Sequence, residues 1–177
     1  MSRPDAVVLV GHGGVPRDCP RELVQRLKAL EARRRGSGLP PCEEERALDE
    51  RIRRWPRTAT TDPYGAGLAR VAEALRPLLG GTELVVAFNE FCAPSLTEAI
   101  EDLVARGRQH IVVLPSMLTP GGVHSEVDIP EEVAALRARH PEVAIRYAWP
   151  FDLAAVARLL ASQALGGEGR EGTTAWR

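Results

Sequence analysis

Ala6-Val7-Val8-Leu9-Val10-Gly11-His12-Gly13-Gly14 (AVVLVGHGG, residues 6–14) is the stretch on which the fold turns. Its first five residues are apolar, mostly β-branched, and show no polar alternation. Such a run fits a strand buried on both faces, as in a parallel sheet covered by helices. Leu84–Phe88, Ile111–Leu114 and Val143–Tyr147 are similarly short and rich in Val and Ile. Four strands are therefore expected, with helical segments between them. Pro63–Leu79 carries Leu68, Val71, Leu75, Leu78 and Leu79 at helical spacing. Ser95–Arg106 opens with Ser95 and places Glu98 three positions on, a capping-box pattern, then supplies Ile100, Leu103 and Val104 to the core. Pro130–Arg139 starts on a proline and presents Val133 and Leu136, and Asp152 can cap a last helix through Leu165. Alternating strands and helices predict an α/β, doubly wound parallel four-stranded sheet.

The bulk properties agree with one unit, residues 1–165, followed by a tail at 166–177 that has no periodicity and is expected to be flexible. A net charge of −1 over 177 residues draws the chain to neither nucleic acid nor a membrane surface. The first apolar run is too short for a signal peptide or a membrane span. Cys19, Cys42 and Cys92 are odd in number and lack CxxC spacing, so a cytoplasmic setting without disulfides is expected.

Residues 15–62 depart from this rhythm, because a crossover of a few residues would suffice there. Leu23, Leu27 and Leu30 recur at helical spacing, as do Leu48, Ile52 and Trp55, and GSGLPP breaks the pattern between them. The reading is an inserted helical hairpin, Arg21–Arg35 and Glu43–Trp55. Its arginines (33, 34, 35, 46, 51, 53, 54 and 57) admit two interpretations. They form a solvated basic face offset by Glu43, Glu44, Glu45, Asp49 and Glu50, or they line a wall for a polycarboxylate ligand.

In open parallel sheets, ligands bind beyond the carboxyl ends of the strands, near the point where strand order reverses. Three candidate groups fall there. His12 follows the first strand among Gly11, Gly13 and Gly14. Glu90 follows the second, and His124 follows the third behind Gly121 and Gly122. The glycines let the backbone turn and a bulky ligand approach. GHGG matches no nucleotide-binding pattern, so no nucleotide is expected. His110 and His140 fall at the opposite edge and read as structural. Neutral imidazole suits Fe²⁺, Co²⁺, Ni²⁺ and Zn²⁺, and a carboxylate completes a mixed N/O set. Two histidines and few other ligands would hold such an ion loosely enough to hand it on.

These residues resemble the small CbiX/SirB-type class II chelatases, which insert Co²⁺ or Fe²⁺ into sirohydrochlorin without ATP. The segments that carry the resemblance are VVLVGHG (7–13), LVVAFNEFCAPSLTEAIEDL (84–103), GRQHIVVLPSML (107–118), GGVHSEVDIP (121–130) and IRYAWPFD (145–152). The resemblance implies a chelatase-like fold and a role in siroheme or cobalamin biosynthesis. It implies that His12 and His124 bind the metal and accept protons, with Glu90 as the acidic partner; imidazole chemistry adds Ni²⁺ as a further candidate ion. It also implies a tetrapyrrole substrate admitted by the glycine loops, a homodimer, and structural roles for Asp128 and Pro130. Two departures stand out. Many relatives continue GHG with Ser-Arg, whereas Gly14-Val15 follow here, and the 15–62 insertion exceeds the usual short connection. A non-catalytic metal or tetrapyrrole carrier with the same fold is the alternative. A phosphotransferase using His12 as nucleophile ranks last, because the nearest arginine, Arg17, lies beyond Pro16.

Overall fold

The computed structural model describes residues 3–35 and 37–166. The expected flexible tail falls on residues 167–177, outside the described residues, save for Gly166. The elements run β1 (Ala6–Gly11), α1 (Arg21–Arg35), α2 (Glu43–Arg53), α3 (Pro63–Leu75), β2 (Glu83–Phe88), α4 (Leu96–Ala105), β3 (His110–Pro115), α5 (Ile129–Arg139), β4 (Ala144–Tyr147) and α6 (Leu153–Leu165). All strand pairings are parallel, in the order β2-β1-β3-β4. This is the doubly wound sheet the sequence predicts. Among the described residues no helix is long and apolar enough to cross a membrane.

Every residue of β1 is buried, because β1 is central and both its faces are covered. Val8 and Val10 join Ile111, Val113 and Ile145 under the residues of α4 and α5. Val7 and Leu9 point the other way and pack with Leu68 and Ala72 of α3. Ser95 caps α4 and closes a reciprocal capping box with Glu98. The chain passes from β1 to β2 on one side and from β2 to β3 on the other, so the connections diverge between β1 and β3. That divergence opens a crevice at their carboxyl ends.

Two helical expectations are refined. The helix begun at Pro63 ends at Leu75 and tightens into a 3-10 turn, Arg76–Leu79, at the Arg76-Pro77 pair. Proline lacks the N–H that would continue the α-helical ladder. The buried stripe is therefore Leu68 and Ala72, with Leu75 and Leu79 half-buried, while Val71 and Leu78 are exposed. The second helix of the insertion stops at Arg53, two residues before Trp55.

The insertion is a helical hairpin with a small core of its own: Cys19, Leu27 and Ile52, flanked by Leu23, Leu48 and Trp55. Phe91, which follows β2, completes that core. Phe91 adopts φ +57°, a conformation that disfavours a bulky side chain. Burial of its ring offsets this cost and ties the loop after β2 to the insertion.

Candidate metal centre

The ladder between β1 and β2 continues past the strand ends. The Asn89 amide donates to the Gly11 carbonyl at 2.9 Å, and the Glu90 amide donates to the His12 carbonyl at 2.8 Å. The His12 amide donates to the Tyr64 hydroxyl at 2.7 Å. His12 and Glu90 thus sit on paired backbone rather than on free loops. Gly13 follows at φ +91°, and a Cβ there would lie 1.8 Å from the Glu90 carbonyl oxygen, so only glycine lets the two loops pass. At Gly11 a Cβ would meet the tip of the Leu68 side chain at 2.4 Å, a contact that movement of that side chain can relieve. Gly14 and Gly122 have looser surroundings, and Gly121 adopts φ +87° in open space ahead of His124.

His124 starts a π-helical turn, His124–Asp128, that leads into α5. Tyr147 from β4 holds this turn by donating to the Ser125 carbonyl at 2.8 Å. Burial pushes the Tyr147 hydroxyl up to about 12, with the Glu126 charge adding to the shift. It therefore stays a neutral donor.

The three predicted residues meet. His12, Glu90 and His124 each offer a ligand atom, and these atoms all lie within 4.8 Å of one another. The two Nε2 atoms are 3.0 Å apart, with the rings edge to face. The partners of the other ring nitrogens decide the tautomers. His12 Nδ1 lies 2.8 Å from the Gly13 carbonyl oxygen, which can only accept, so Nδ1 carries the proton. His124 Nδ1 lies 2.6 Å from Asp128 Oδ2, and a carboxylate likewise only accepts. The two Nε2 atoms then face one another. Across 3.0 Å that contact is favourable when a proton or a metal ion is shared between the two nitrogens. Two donors at about 2.0–2.1 Å from one tetrahedral ion stand roughly 3.3 Å apart, so small side-chain rotations complete the geometry. Glu90 offers a third ligand atom to the same cluster.

Sequence reasoning missed two members of this arrangement. Asp128 does more than shape the loop, because it fixes the tautomer and direction of His124. The Asn89 side-chain amide lies 2.8 Å from the same Nδ1, and a half-turn of that amide presents its oxygen to the N–H. A signal for Asp128 existed in HSEVD, where His and Asp stand four apart and share one face of any helical turn. Truncating Asp128 to Ala is expected to weaken Co²⁺ binding by about 10- to 100-fold, the usual effect of losing a ligand's outer partner. Asp128→Asn keeps an acceptor and should recover part of the loss. Titration calorimetry with Co²⁺ measures both. The Asp128 side chain makes no cap bond to α5, so helix content should not change.

The structure also decides what the inserted arginines do. Arg57 donates to the Gly14 carbonyl at 2.8 Å, to Asp62 Oδ2 at 2.7 Å, and to the carbonyl of Phe91. Arg53 reaches the Cys92 and Asn89 carbonyls at 3.1 and 3.3 Å. These two brace, from beneath, the loops that carry His12 and Glu90. Arg26 and Arg34 pair with Glu44 and Glu45 across the hairpin, and Arg54 pairs with Glu98 of α4. Arg33, Arg46 and Arg51 remain on the surface. Arg53 and Arg57 thus hold backbone and a carboxylate of this chain, and the Arg35 side chain lies outside the described residues. Beside Glu90 a cleft of about 450 Å³ is instead lined by Lys28, Glu31, Ala32 and Phe91.

The remaining candidates fall elsewhere. His110 lies near Asp5 and His140 binds Glu101 at 2.9 Å, both at the other edge of the sheet. The three cysteines are unpaired, and Cys92 is buried against Gly14. Burial pushes the Cys92 thiol up, so it serves as a neutral packing group there.

A "Sirohydrochlorin cobaltochelatase" of Priestia megaterium is 38% identical over 63 residues, which are 36% of this chain and 20% of that protein. A "Sirohydrochlorin ferrochelatase" of Bacillus subtilis (strain 168) is 34% identical over 68 residues, 38% of this chain and 26% of that protein. The chain thus matches about a quarter or less of the length of these relatives. Among solved structures, a putative cobalamin (vitamin B12) biosynthesis CbiX protein from Marinobacter aquaeolei VT8 superposes with a TM-score of 0.51 at 19% identity. That superposition covers 91% of this chain and 97% of the other, and it bears on the fold alone. The CbiX family model matches residues 60–164, which include Glu90 and His124, while His12 and most of the insertion lie ahead of the match. Spanning more than half of the sequence, that match means that the chain belongs to the CbiX family.

Proposed function

We propose that this protein inserts a divalent ion, Co²⁺ or Fe²⁺, into sirohydrochlorin or a related tetrapyrrole, without nucleotide. The observation that carries the reading is the histidine pair, whose fixed tautomers turn two lone pairs on one point beside Glu90. In this reading His12 and His124 receive the ion, which is a substrate. Insertion displaces two protons from pyrrole nitrogens for each M²⁺ that enters, and Glu90 and His124 are the groups placed to accept them. Gly121, Gly122 and Gly14 leave room at the rim of the cleft, while Gly11 and Gly13 serve by letting the loops pack. The names of the matched relatives support the same ion and substrate classes.

Residues 1–165 act in this reading as one unit in the cytoplasm, a setting that the unpaired cysteines favour, and work as a homodimer. The deciding measurement is the absorption spectrum of sirohydrochlorin on addition of Co²⁺, Fe²⁺ or Ni²⁺ in parallel. The expected result is metallation faster than the uncatalysed reaction for Co²⁺ or Fe²⁺. A spectral shift on binding with no change in that rate would make the protein a carrier.

A further inference from the structure

Among 23 lysines and arginines the sequence holds a single lysine, Lys28. It lies on α1 of the insertion, in the cleft of about 450 Å³ beside Glu90. Arg26, Arg34, Arg53, Arg54 and Arg57 of the same insertion are tied to carboxylates and carbonyls of this chain. Lys28 differs from them. Among the described residues no carboxylate pairs with it, and its ammonium stands 5.5 Å from the centroid of the Phe91 ring.

Packing fixes where that ammonium can reach. Leu27, the preceding residue, is buried with Ile52 and Phe91 in the core of the insertion, and Arg57 holds the Phe91 carbonyl. Helix α1 is therefore seated against the loop that carries Glu90. Lys28, Glu31 and Ala32 fall at i, i+3 and i+4, so they share one helix face, and that face is one wall of the cleft. Glu90 and Phe91 form the other. The methyl of Ala32 leaves the space between them open.

Glu90 also belongs to the cluster with His12 and His124. A tetrapyrrole is far wider than those three side chains. When its centre reaches an ion held there, its rim extends past Glu90 over this cleft, and the rim of sirohydrochlorin carries carboxylate arms. Of the side chains lining the cleft, Lys28 is the sole cation beside two carboxylates, and Glu31 has a partner of its own. An anionic arm is thus accepted at the ammonium and repelled elsewhere in the cleft. Lysine suits a ligand that must enter and leave. Its three donors on a flexible stem ask for no fixed angle, whereas a guanidinium fork favours one bidentate geometry. The contact with the Phe91 ring is weak at an exposed site, so the ammonium is readily released to a carboxylate.

We infer that Lys28 seats a carboxylate arm of the macrocycle in the cleft between α1 and Glu90, which makes the insertion part of substrate recognition. The inference rests on the chelatase reading above and adds to it a residue that determines specificity.

The single lysine gives a direct test. The full-length chain is acetylated briefly with an amine-reactive ester, with and without metal-free sirohydrochlorin. Mass spectrometry then compares Lys28 with the α-amino terminus. At about ten times its Kd the macrocycle should slow labelling of Lys28 about tenfold relative to that terminus. Citrate at matched concentration offers carboxylates without the ring and should not; equal shielding by citrate would overturn the assignment. In the insertion assay Lys28→Met should raise KM for sirohydrochlorin about tenfold, the weight of one charge-assisted hydrogen bond, with kcat moved far less. Lys28→Arg should recover part of the loss and Lys28→Glu should deepen it. Lys28 is exposed and outside the metal cluster, so all three variants should bind Co²⁺ as the wild type does. Metal insertion with Lys28 unshielded and KM unchanged in Lys28→Met would overturn the assignment and leave the chelatase reading standing. Shielding of Lys28 without metal insertion would end that reading and keep the seat for the macrocycle.

Discussion

His12→Ala and His124→Ala are each expected to lower the rate of metal insertion by roughly 10²–10⁴-fold, the range for a positioned group that takes part in proton transfer. Each should also weaken Co²⁺ binding by more than the 10- to 100-fold expected for Asp128→Ala, because a ligand is lost rather than its support. The physical reason is the sharing of one point by two lone pairs 3.0 Å apart. Remove either ring and the remaining imidazole offers a single nitrogen, with Glu90 as its only partner in the cluster. Both rings are partly exposed, so near-ultraviolet circular dichroism and the unfolding midpoint should change little. Glu90→Gln separates the two roles. Loss of the carboxylate proton acceptor should depress the rate more than it depresses Co²⁺ affinity. Full insertion activity in both alanine variants would end the proposal.

Much of this centre was legible in the sequence for a geometric reason. A strand buried on both faces has a recognisable composition, and its carboxyl end marks the ligand edge of a parallel sheet. Val10 and Leu114 announce where β1 and β3 end, and the histidines that follow those strands must approach one another at the switch point. Ser95 and Glu98 announced the start of α4 in the same local way. What stayed hidden depends on contacts between distant segments. Composition shows that residues 15–62 are rich in arginine, but which guanidinium turns inward depends on where the carbonyls of Gly14, Asn89 and Phe91 come to lie. Asp128 was hidden by a smaller margin, because HSEVD reads as loop until its turn is recognised as helical. The exposure of α6 could not be read at all, since its sequence is that of a helix with a surface to cover.

Among the inserted arginines, Arg57 is expected to show the largest effect on stability, and the contrast with Arg26 shows why. The Arg26–Glu44 pair is about half exposed on both sides, so Arg26→Ala should leave the unfolding midpoint nearly unchanged. The side chains of Arg57 and Asp62 are 18% and 7% exposed at a separation of 2.7 Å. Asp62 is held there by a second duty, accepting from the Gly65 amide at the start of α3, so it cannot swing out to water when its partner goes. Arg57→Ala leaves that carboxylate buried and unpaired, and strips donors from the Gly14 and Phe91 carbonyls. A loss of about 3–5 kcal/mol is expected, which for a chain of this size lowers the unfolding midpoint by on the order of 10 °C. Arg57→Lys keeps the charge but not the planar fork that reaches both loops, so it should recover only part of the loss. The double variant Arg57→Ala with Asp62→Asn should be more stable than the sum of the single losses, because most of the Arg57→Ala cost is the stranded charge. Calorimetric unfolding of the four proteins measures this. Below the unfolding transition, Arg57→Ala should still weaken Co²⁺ binding, since His12 and Glu90 keep their alignment only while both loops are braced. A variant that loses stability but binds Co²⁺ as the wild type does would show that the paired backbone at Gly11–His12 and Asn89–Glu90 holds the centre without the insertion.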